Sequence, residues 1–353
     1  GPSMLPLEVL ERAQAEMLCY GDTEMSVMEL GADSPEFKQI VKDAEDALRK
    51  LMNIPANFKI LFMQGGCDSQ YAAIPMNLLS EHQCADYIVS GQMSKRAYDE
   101  AKKYGDIVIA ASSGGASPPY STLPTTTRSD FRPDADYVHI CYNNTVYGTT
   151  FNDVPDTGNI PLVADMTSCI CSEPVDVNKF GMIYAGAEVN IAPAGLTVVI
   201  IRVDLAGNAR SDTPSTLDYK KLLDNNNAYS NASIWGIYMA KLVLEWIISV
   251  GGLDEKKASL LYDYLDGHGQ SYYTAPADKR YRSMMNIAFH TGDGDLDKRF
   301  IAEAEKAGLI NLAGDPSVGG MCASLYNSMP YEGVEALIDF MKSFMKNNPK
   351  IQR

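Results

Sequence analysis

The chain is short of basic residues, of long apolar runs and of any ordered cysteine pattern. Lys and Arg number 30 against 45 Asp and Glu, a formal net charge of −15. A surface of that sign argues against nucleic acid as a partner, because phosphate backbones are gathered by basic faces. No apolar run reaches the ~18 residues that a membrane-spanning helix needs, so no membrane partner is expected. The first residues carry no basic stretch followed by an apolar core, so no secretory leader is expected. Gly1-Pro2-Ser3 reads either as native sequence or as a cloning scar. The seven cysteines are odd in number and scattered, and Cys169-x-Cys171 alone is not a zinc pair. Reduced thiols in a cytoplasmic protein are expected, most of them small buried hydrophobes.

What is present is an ordinary globular composition of 353 residues, 46% hydrophobic and 21% charged. That length suits two domains, or one large domain with a satellite. Helical spacing marks residues 7–19 and 35–53, where Phe37, Ile40, Val41, Ala44, Leu48 and Leu51 recur every three or four positions. Lys59 to Met63 reads as a buried strand; Gly65-Gly66 ends it and a helix follows from Ser69 to Leu79. Short apolar strands recur at 85–89, 106–110, 137–141, 162–165, 182–186 and 196–201, with helical stretches between several of them. The alternation predicts an α/β domain with a mostly parallel sheet, its ligand crevice at the carboxyl ends of the strands. Residues 224–233 read as a loop, and a helix is expected over 234–250. Helices at 255–266, 296–307 and 331–346 with strands near 284–290 and 323–326 predict a smaller α+β domain. The expected division is 14–253 for the large domain, with 1–13 and 254–353 in the small one.

Several stretches resemble phosphoserine aminotransferases. They are Gly1-Pro2-Ser3-Met4-Leu5-Pro6, Ser26-Val27-Met28-Glu29, Ala164-Asp165-Met166-Thr167-Ser168 and Asn190-Ile191-Ala192-Pro193-Ala194-Gly195-Leu196. Val318-Gly319-Gly320-Met321 and, most specific, Ala323-Ser324-Leu325-Tyr326-Asn327-Ser328-Met329-Pro330 complete the set. The resemblance covers essentially the whole chain in order. It implies the aspartate-aminotransferase-like fold (fold type I), a pyridoxal-phosphate site and a homodimer. It also implies the reaction of 3-phosphohydroxypyruvate and glutamate to phosphoserine and 2-oxoglutarate, in serine biosynthesis. That chemistry needs a lysine amine for a Schiff base, a carboxylate against the pyridine nitrogen, backbone N–H groups on the phosphate, and arginine clamps on the substrate.

By the resemblance, Asp165 stands at the pyridine-nitrogen position and Thr145 near the phenolic oxygen; both are retained. The Gln-Lys-Asn triplet expected after Gly186-Ala187 reads Glu188-Val189-Asn190, so the lysine position holds Val189 and a carboxylate replaces an amide facing the phosphate. A first His-Arg pair reads Ala32-Asp33, the ring-stacking tryptophan is Met93, and the turn after the first strand reads Cys67-Asp68. The partner-subunit loop reads Ser230-Asn231-Ala232-Ser233, a second His-Arg pair reads Asp315-Pro316, and an arginine is Cys322. Neither Cys67 nor Cys322 gains a base among His82, His139, His268 and His290, and no spacing recommends a metal. Changes gathered at one pocket suggest loss with repurposing, natural or engineered. Covalent pyridoxal phosphate is therefore not expected, and neither is transamination. The alternative is a working phosphoserine aminotransferase that tolerates the changes. With Asp33, Asp68, Glu188 and Asp315 beside Asp165, the pocket is expected to repel phosphorylated anions and to favour a cationic or neutral ligand.

Overall fold

The computed structural model describes residues 3–225, 233–250 and 256–350. In chain order the elements are α1 (Leu7–Leu18), α2 (Pro35–Met52), β1 (Phe58–Gln64), α3 (Asp68–Leu78), β2 (Cys84–Val89), α4 (Gln92–Ala101), β3 (Asp106–Ser112), β4 (Tyr137–Cys141), β5 (Asn143–Asn144), β6 (Thr149–Thr150) and β7 (Leu162–Asp165). They continue with β8 (Met182–Gly186), β9 (Leu196–Arg202), α5 (Tyr219–Asp224), α6 (Ile234–Ser249), α7 (Lys256–Asp266), β10 (Asn286–Phe289), α8 (Gly294–Lys306), β11 (Met321–Ser324) and α9 (Tyr331–Asn347).

Seven strands form one sheet in the order β1-β9-β8-β7-β4-β2-β3. β9 is antiparallel to both neighbours, and the other pairings of this sheet are parallel. Gln64, Val89, Cys141, Asp165 and Gly186 therefore end their strands along one edge, facing Leu196 at the start of β9. β2, β4, β7 and β8 are buried along their whole length, because helices cover both faces of the sheet.

On one face α2 packs against α6. Ser34 caps α2 by accepting from the Phe37 N–H at 3.1 Å, Pro35 starts it and left-handed Asn53 ends it. Phe37, Ile40, Ala44, Ala47 and Leu48 give α2 its buried stripe. α6 is apolar nearly all round because it is enclosed; its one buried cation, Lys241, reaches Asp43 of α2 at 3.1 Å. On the other face Tyr71, Ile74 and Leu78 of α3, with Tyr219 and Leu222 of α5, cover Tyr87, Tyr137 and Tyr184 of the sheet. A separate core, from Ala258 to Phe344, joins α7, α8 and α9 to the β10–β11 pair around Phe289 and Phe300.

Two expectations shift. Residues 1–13 are expected with the small domain; α1 starts among them and continues into the expected large domain, and its Val9 and Ala13 lie in the core cluster that also holds α6. The strand expected near 323–326 begins at Met321 and ends at Ser324. The 253/254 boundary lies outside the described residues.

Candidate active site

The sheet edge that gathers the parallel strand ends also gathers the chemistry. Asp165 closes β7 and is 4% exposed. Its Oδ1 accepts from the Thr167 N–H at 2.9 Å and from the Thr167 hydroxyl at 2.6 Å. The same hydroxyl accepts from the Gly186 N–H at 3.1 Å, which ties the ends of β7 and β8 together. Burial pushes the Asp165 carboxyl up to about 6, against the lowering effect of the Thr167 bonds and of Tyr184; Glu188 adds to the rise. Tyr184, the register partner of Asp165, pairs through its hydroxyl with His139 Nε2 at 2.9 Å. Burial lowers the His139 pKa to about 3, so that imidazole stays neutral.

Val189 follows in the turn after β8. It is 8% exposed, sits in the apolar core, and its carbonyl accepts from the Ser3 hydroxyl at 2.5 Å. The Glu188 carboxylate folds back over Gly186: a Cβ there would lie 2.6 Å from Oε2 and 2.8 Å from Oε1. Glu188 Oε2 is buried and has no hydrogen-bond partner among the described residues. Asn190 Oδ1 accepts from the Asn327 N–H at 3.1 Å, linking this turn to the strand-following segment of the small module.

Across the edge, Cys67 precedes α3. Its thiol is pushed up to about 12, chiefly by burial, then by Asp165, with Glu188 and Asp68 adding to it. It is no nucleophile at neutral pH. Cys322 is also pushed up, to about 11, by burial. Its Sγ lies 3.9 Å from the Thr145 carbonyl, and Thr145 follows directly on β5. Asp315 accepts from the N–H and hydroxyl of Ser317, which hold its carboxyl below the ordinary range, while Pro316 is exposed. Burial, then Tyr120, raises the Tyr147 phenol, and Asp315 adds to the rise.

The structure thus brings Cys67, Asp165, Glu188 and Val189 together, with Asp68 and Met93 on one rim and Thr145, Cys322 and Asp315 on another. The expected acidity needs correction. Asp68 is exposed and paired to Arg96 at 2.7 Å, and Arg96 also reaches Met93 Sδ at 3.6 Å. Asp315 is satisfied by Ser317. Ala32 and Asp33 line a different cavity of about 710 Å³, beside Lys59, Ile60 and Val203. Those residues lie at the start of β1 and just after β9, the sheet edge opposite the Gly65 turn. Glu188 is the carboxylate whose charge bears on Asp165 among the described residues. Ser230 and Asn231 lie outside the described residues.

Thr167, Tyr184 and Arg96 were not read from the sequence. An Asp-x-Thr step is a turn signal that could have flagged Thr167; Arg96 meets Asp68 only through the tertiary fold. Among the described residues no His, Cys, Asp and Glu group suits a metal ion.

A buried carboxyl thus closes a strand on the carboxyl edge of a mostly parallel seven-stranded sheet, in a chain that also carries a small α+β module. Residues 1–337 match the model for class-V aminotransferases, and the chain belongs to that family. Within it, the chain is 44% identical to the phosphoserine aminotransferase of Bacillus cereus over 354 residues, 99% of this chain and 97% of the relative. It is 45% identical to that of Lysinibacillus sphaericus with the same coverage. The solved phosphoserine aminotransferase of Bacillus circulans subsp. alkalophilus superposes with a TM-score of 0.94 at 42% identity, covering 98% of this chain and 97% of that one. A pyridoxal-phosphate-bound phosphoserine aminotransferase from Trichomonas vaginalis superposes with a TM-score of 0.89 at 34% identity, covering 97% and 98%. The resemblance and the fold expected from the motifs both hold.

The residues at this site do not fit a covalently held pyridoxal phosphate. The turn that should carry an amine carries a buried valine, and a donor-less carboxylate oxygen lies one residue before it. The two buried lysines among the described residues are engaged, Lys241 with Asp43, and Lys257 with the carbonyls of Tyr326 and Met329.

Proposed function

We propose that this chain is a phosphoserine aminotransferase-like protein that does not transaminate. One observation carries the reading: the side chain beyond Gly186-Ala187 is Val189, apolar and 8% exposed, in the turn beside Asp165. A transaminase holds its coenzyme through a lysine amine and moves the substrate proton with that same amine. Valine has neither a nucleophile nor a titratable proton. The surrounding replacements support the reading. Cys67 is a protonated thiol, Met93 replaces a stacking ring, and Cys322 and Asp315-Pro316 offer no guanidinium to clamp a carboxylate or phosphate.

The site keeps a buried carboxyl held by Thr167 and Tyr184. On this reading it is a remodelled pocket for a neutral or cationic small molecule in a homodimeric scaffold. Seven of the exposed large apolar residues, Met4, Leu7, Leu10, Met17, Leu18, Met25 and Met28, lie in the first part of the chain and suit burial against a second copy. No helix among the described residues is long and apolar enough to cross a membrane.

The competing reading is an active phosphoserine aminotransferase, favoured by full-length identity of 44–45% to proteins of that name. Turnover separates the two. With 3-phosphohydroxypyruvate, glutamate and added pyridoxal phosphate, no 2-oxoglutarate above the protein-free rate is expected. Steady formation that scales with protein concentration contradicts the proposal.

A further inference from the structure

On β4, the strand next to that of Asp165, His139 is a buried imidazole, 1% exposed. Its ring stacks on that of Tyr87, its register partner on β2, with centroids 4.6 Å apart and planes 18° apart. Nε2 lies 2.9 Å from the Tyr184 hydroxyl, while Nδ1 is buried and has no hydrogen-bond partner among the described residues. A neutral imidazole carries one N–H and one bare nitrogen, and an orphaned buried donor is rarer than an orphaned acceptor. Nδ1 is therefore the bare nitrogen, and the Nε2–H donates to the Tyr184 oxygen. The Tyr184 O–H is then left to donate to the Asp165 carboxyl, its register partner across β7 and β8. Imidazole, phenol and carboxyl form one chain of donors, in which each bond strengthens the next. No charged group acts on His139, whose pKa burial alone lowers to about 3. The titratable groups around Asp165, besides Tyr184, are Cys141 on β4, Cys169 after β7, Cys67 and Tyr71 at the start of α3, and Glu188 after β8. Burial pushes those thiols and the Tyr71 phenol up, so they stay neutral near pH 7 and Glu188 is the charged neighbour.

We propose that His139 is a positioning residue of this site: held as the Nε2–H tautomer, it fixes the Tyr184 hydroxyl as a donor to Asp165 and so sets the pH at which the pocket changes from a carboxylic acid to a carboxylate. The inference goes beyond the reading above, because it concerns the ionisation of Asp165 and holds whether or not the chain transaminates. The other tautomer has the opposite consequence. An Nδ1–H imidazole accepts from Tyr184 through Nε2, and Asp165 then loses that donor.

The test is nuclear magnetic resonance on the whole chain. It has four histidines, so nitrogen-15 labelling of histidine resolves each, and the signal lost in His139→Gln belongs to His139. That imidazole is expected to stay neutral from about pH 5 to about pH 8, with its proton on Nε2. Carbon-13 labelling of the aspartates follows Asp165, whose signal is the one lost in Asp165→Asn. Its titration midpoint is expected to rise by roughly one pH unit in Tyr184→Phe, the scale of one hydrogen bond to a charged group. His139→Phe keeps a ring against Tyr87 but removes the donor, and is expected to raise the midpoint by part of that amount. His139→Gln restores an N–H and is expected to bring it back to the wild-type value. Adding His139→Phe to Tyr184→Phe is expected to change nothing further. A merely structural histidine would alter stability and leave these midpoints in place. A proton on Nδ1, a midpoint that does not rise in Tyr184→Phe or in His139→Phe, or one in His139→Gln no nearer the wild type than that of His139→Phe overturns the proposal. Failure of the non-transaminase reading appears elsewhere, as turnover or a covalent coenzyme adduct, so the two outcomes are separable.

Discussion

At the residue scale the site turns on one buried carboxyl. Asp165 is the buried carboxyl that remains, and its cost is readable through pH. Its pKa in the folded chain, about 6, lies above the ~3.9 of an unfolded aspartate. A raised carboxyl contributes most to stability where both states are protonated, below the unfolded value. That contribution is lost as pH climbs from about 4 through about 6. Asp165→Asn carries no such penalty. It is expected to exceed the wild type in stability by roughly 1–3 kcal/mol at pH 8, with the gap closing towards pH 4. Urea unfolding of both proteins across that range checks it; a gap independent of pH counts against a charged, desolvated Asp165. A second expectation concerns Val189→Lys. Because Met93, Cys322 and Asp315-Pro316 remain, that change alone is expected to give no transamination, and measurable turnover by it shows the other replacements to be tolerated.

Much of this scale was legible beforehand. The resemblance assigned Asp165, Thr145, Val189, Glu188 and Cys67 to one site, and the fold places Asp165, Glu188, Val189 and Cys67 at or just after the ends of β7, β8 and β1, and Thr145 just after β5. What was not legible is whether each carboxylate faces the pocket. Asp68 found Arg96 and Asp315 found Ser317, pairings set by tertiary contact or by a local turn. Asp33 sits at the far end of β1, because α2 starts beside the opening of that strand rather than its end.

At the scale of elements, the glycine turns and caps hold the edge in place. Gly148, between β6 and the end of the β5 turn, has φ of +69°, and a Cβ there would meet the Asn286 carbonyl of β10 at 2.8 Å. Its carbonyl also accepts from the Ser283 N–H at 2.9 Å. This is a point where the two modules touch backbone to backbone. Gly148→Ala is expected to destabilise by roughly 1–3 kcal/mol, through strain in the left-handed region and the close approach. Ser34→Ala, which removes the cap of α2, is expected to cost about 1 kcal/mol. Thermal or denaturant midpoints measure both, and a Gly148→Ala midpoint equal to the wild type would show that the junction can yield.

The period of the apolar residues located most elements well. The expected helix over 331–346 is Tyr331–Asn347 and the strand over 182–186 is Met182–Gly186. α5, only six residues long, escaped because it is too short to show a repeat. The direction of β9 escaped too. Periodicity marks a strand as buried but does not say whether it runs with or against its neighbours.

At the scale of the whole molecule, the scaffold is that of the family, and on the proposed reading only the pocket departs from it. The superposition on phosphoserine aminotransferases, at a TM-score of 0.94, extends over nearly the entire chain. Fold and active-site chemistry are separable properties, and replacing a buried charged group by an apolar one of suitable volume is often neutral for stability. Burial of the Met4-to-Met28 apolar stretch against a second copy is expected to show as a dimer in sedimentation or light scattering at micromolar concentration; a monomer there removes the two-copy part of the account.

The central claim is that no side chain in this pocket captures the aldehyde of the coenzyme. It is tested most directly by incubating the purified chain with pyridoxal 5′-phosphate, reducing with borohydride, and mapping modified peptides by mass spectrometry. The expected result is no stoichiometric adduct on any residue near Asp165. A single reduced adduct at one lysine, formed at one per chain, contradicts the claim.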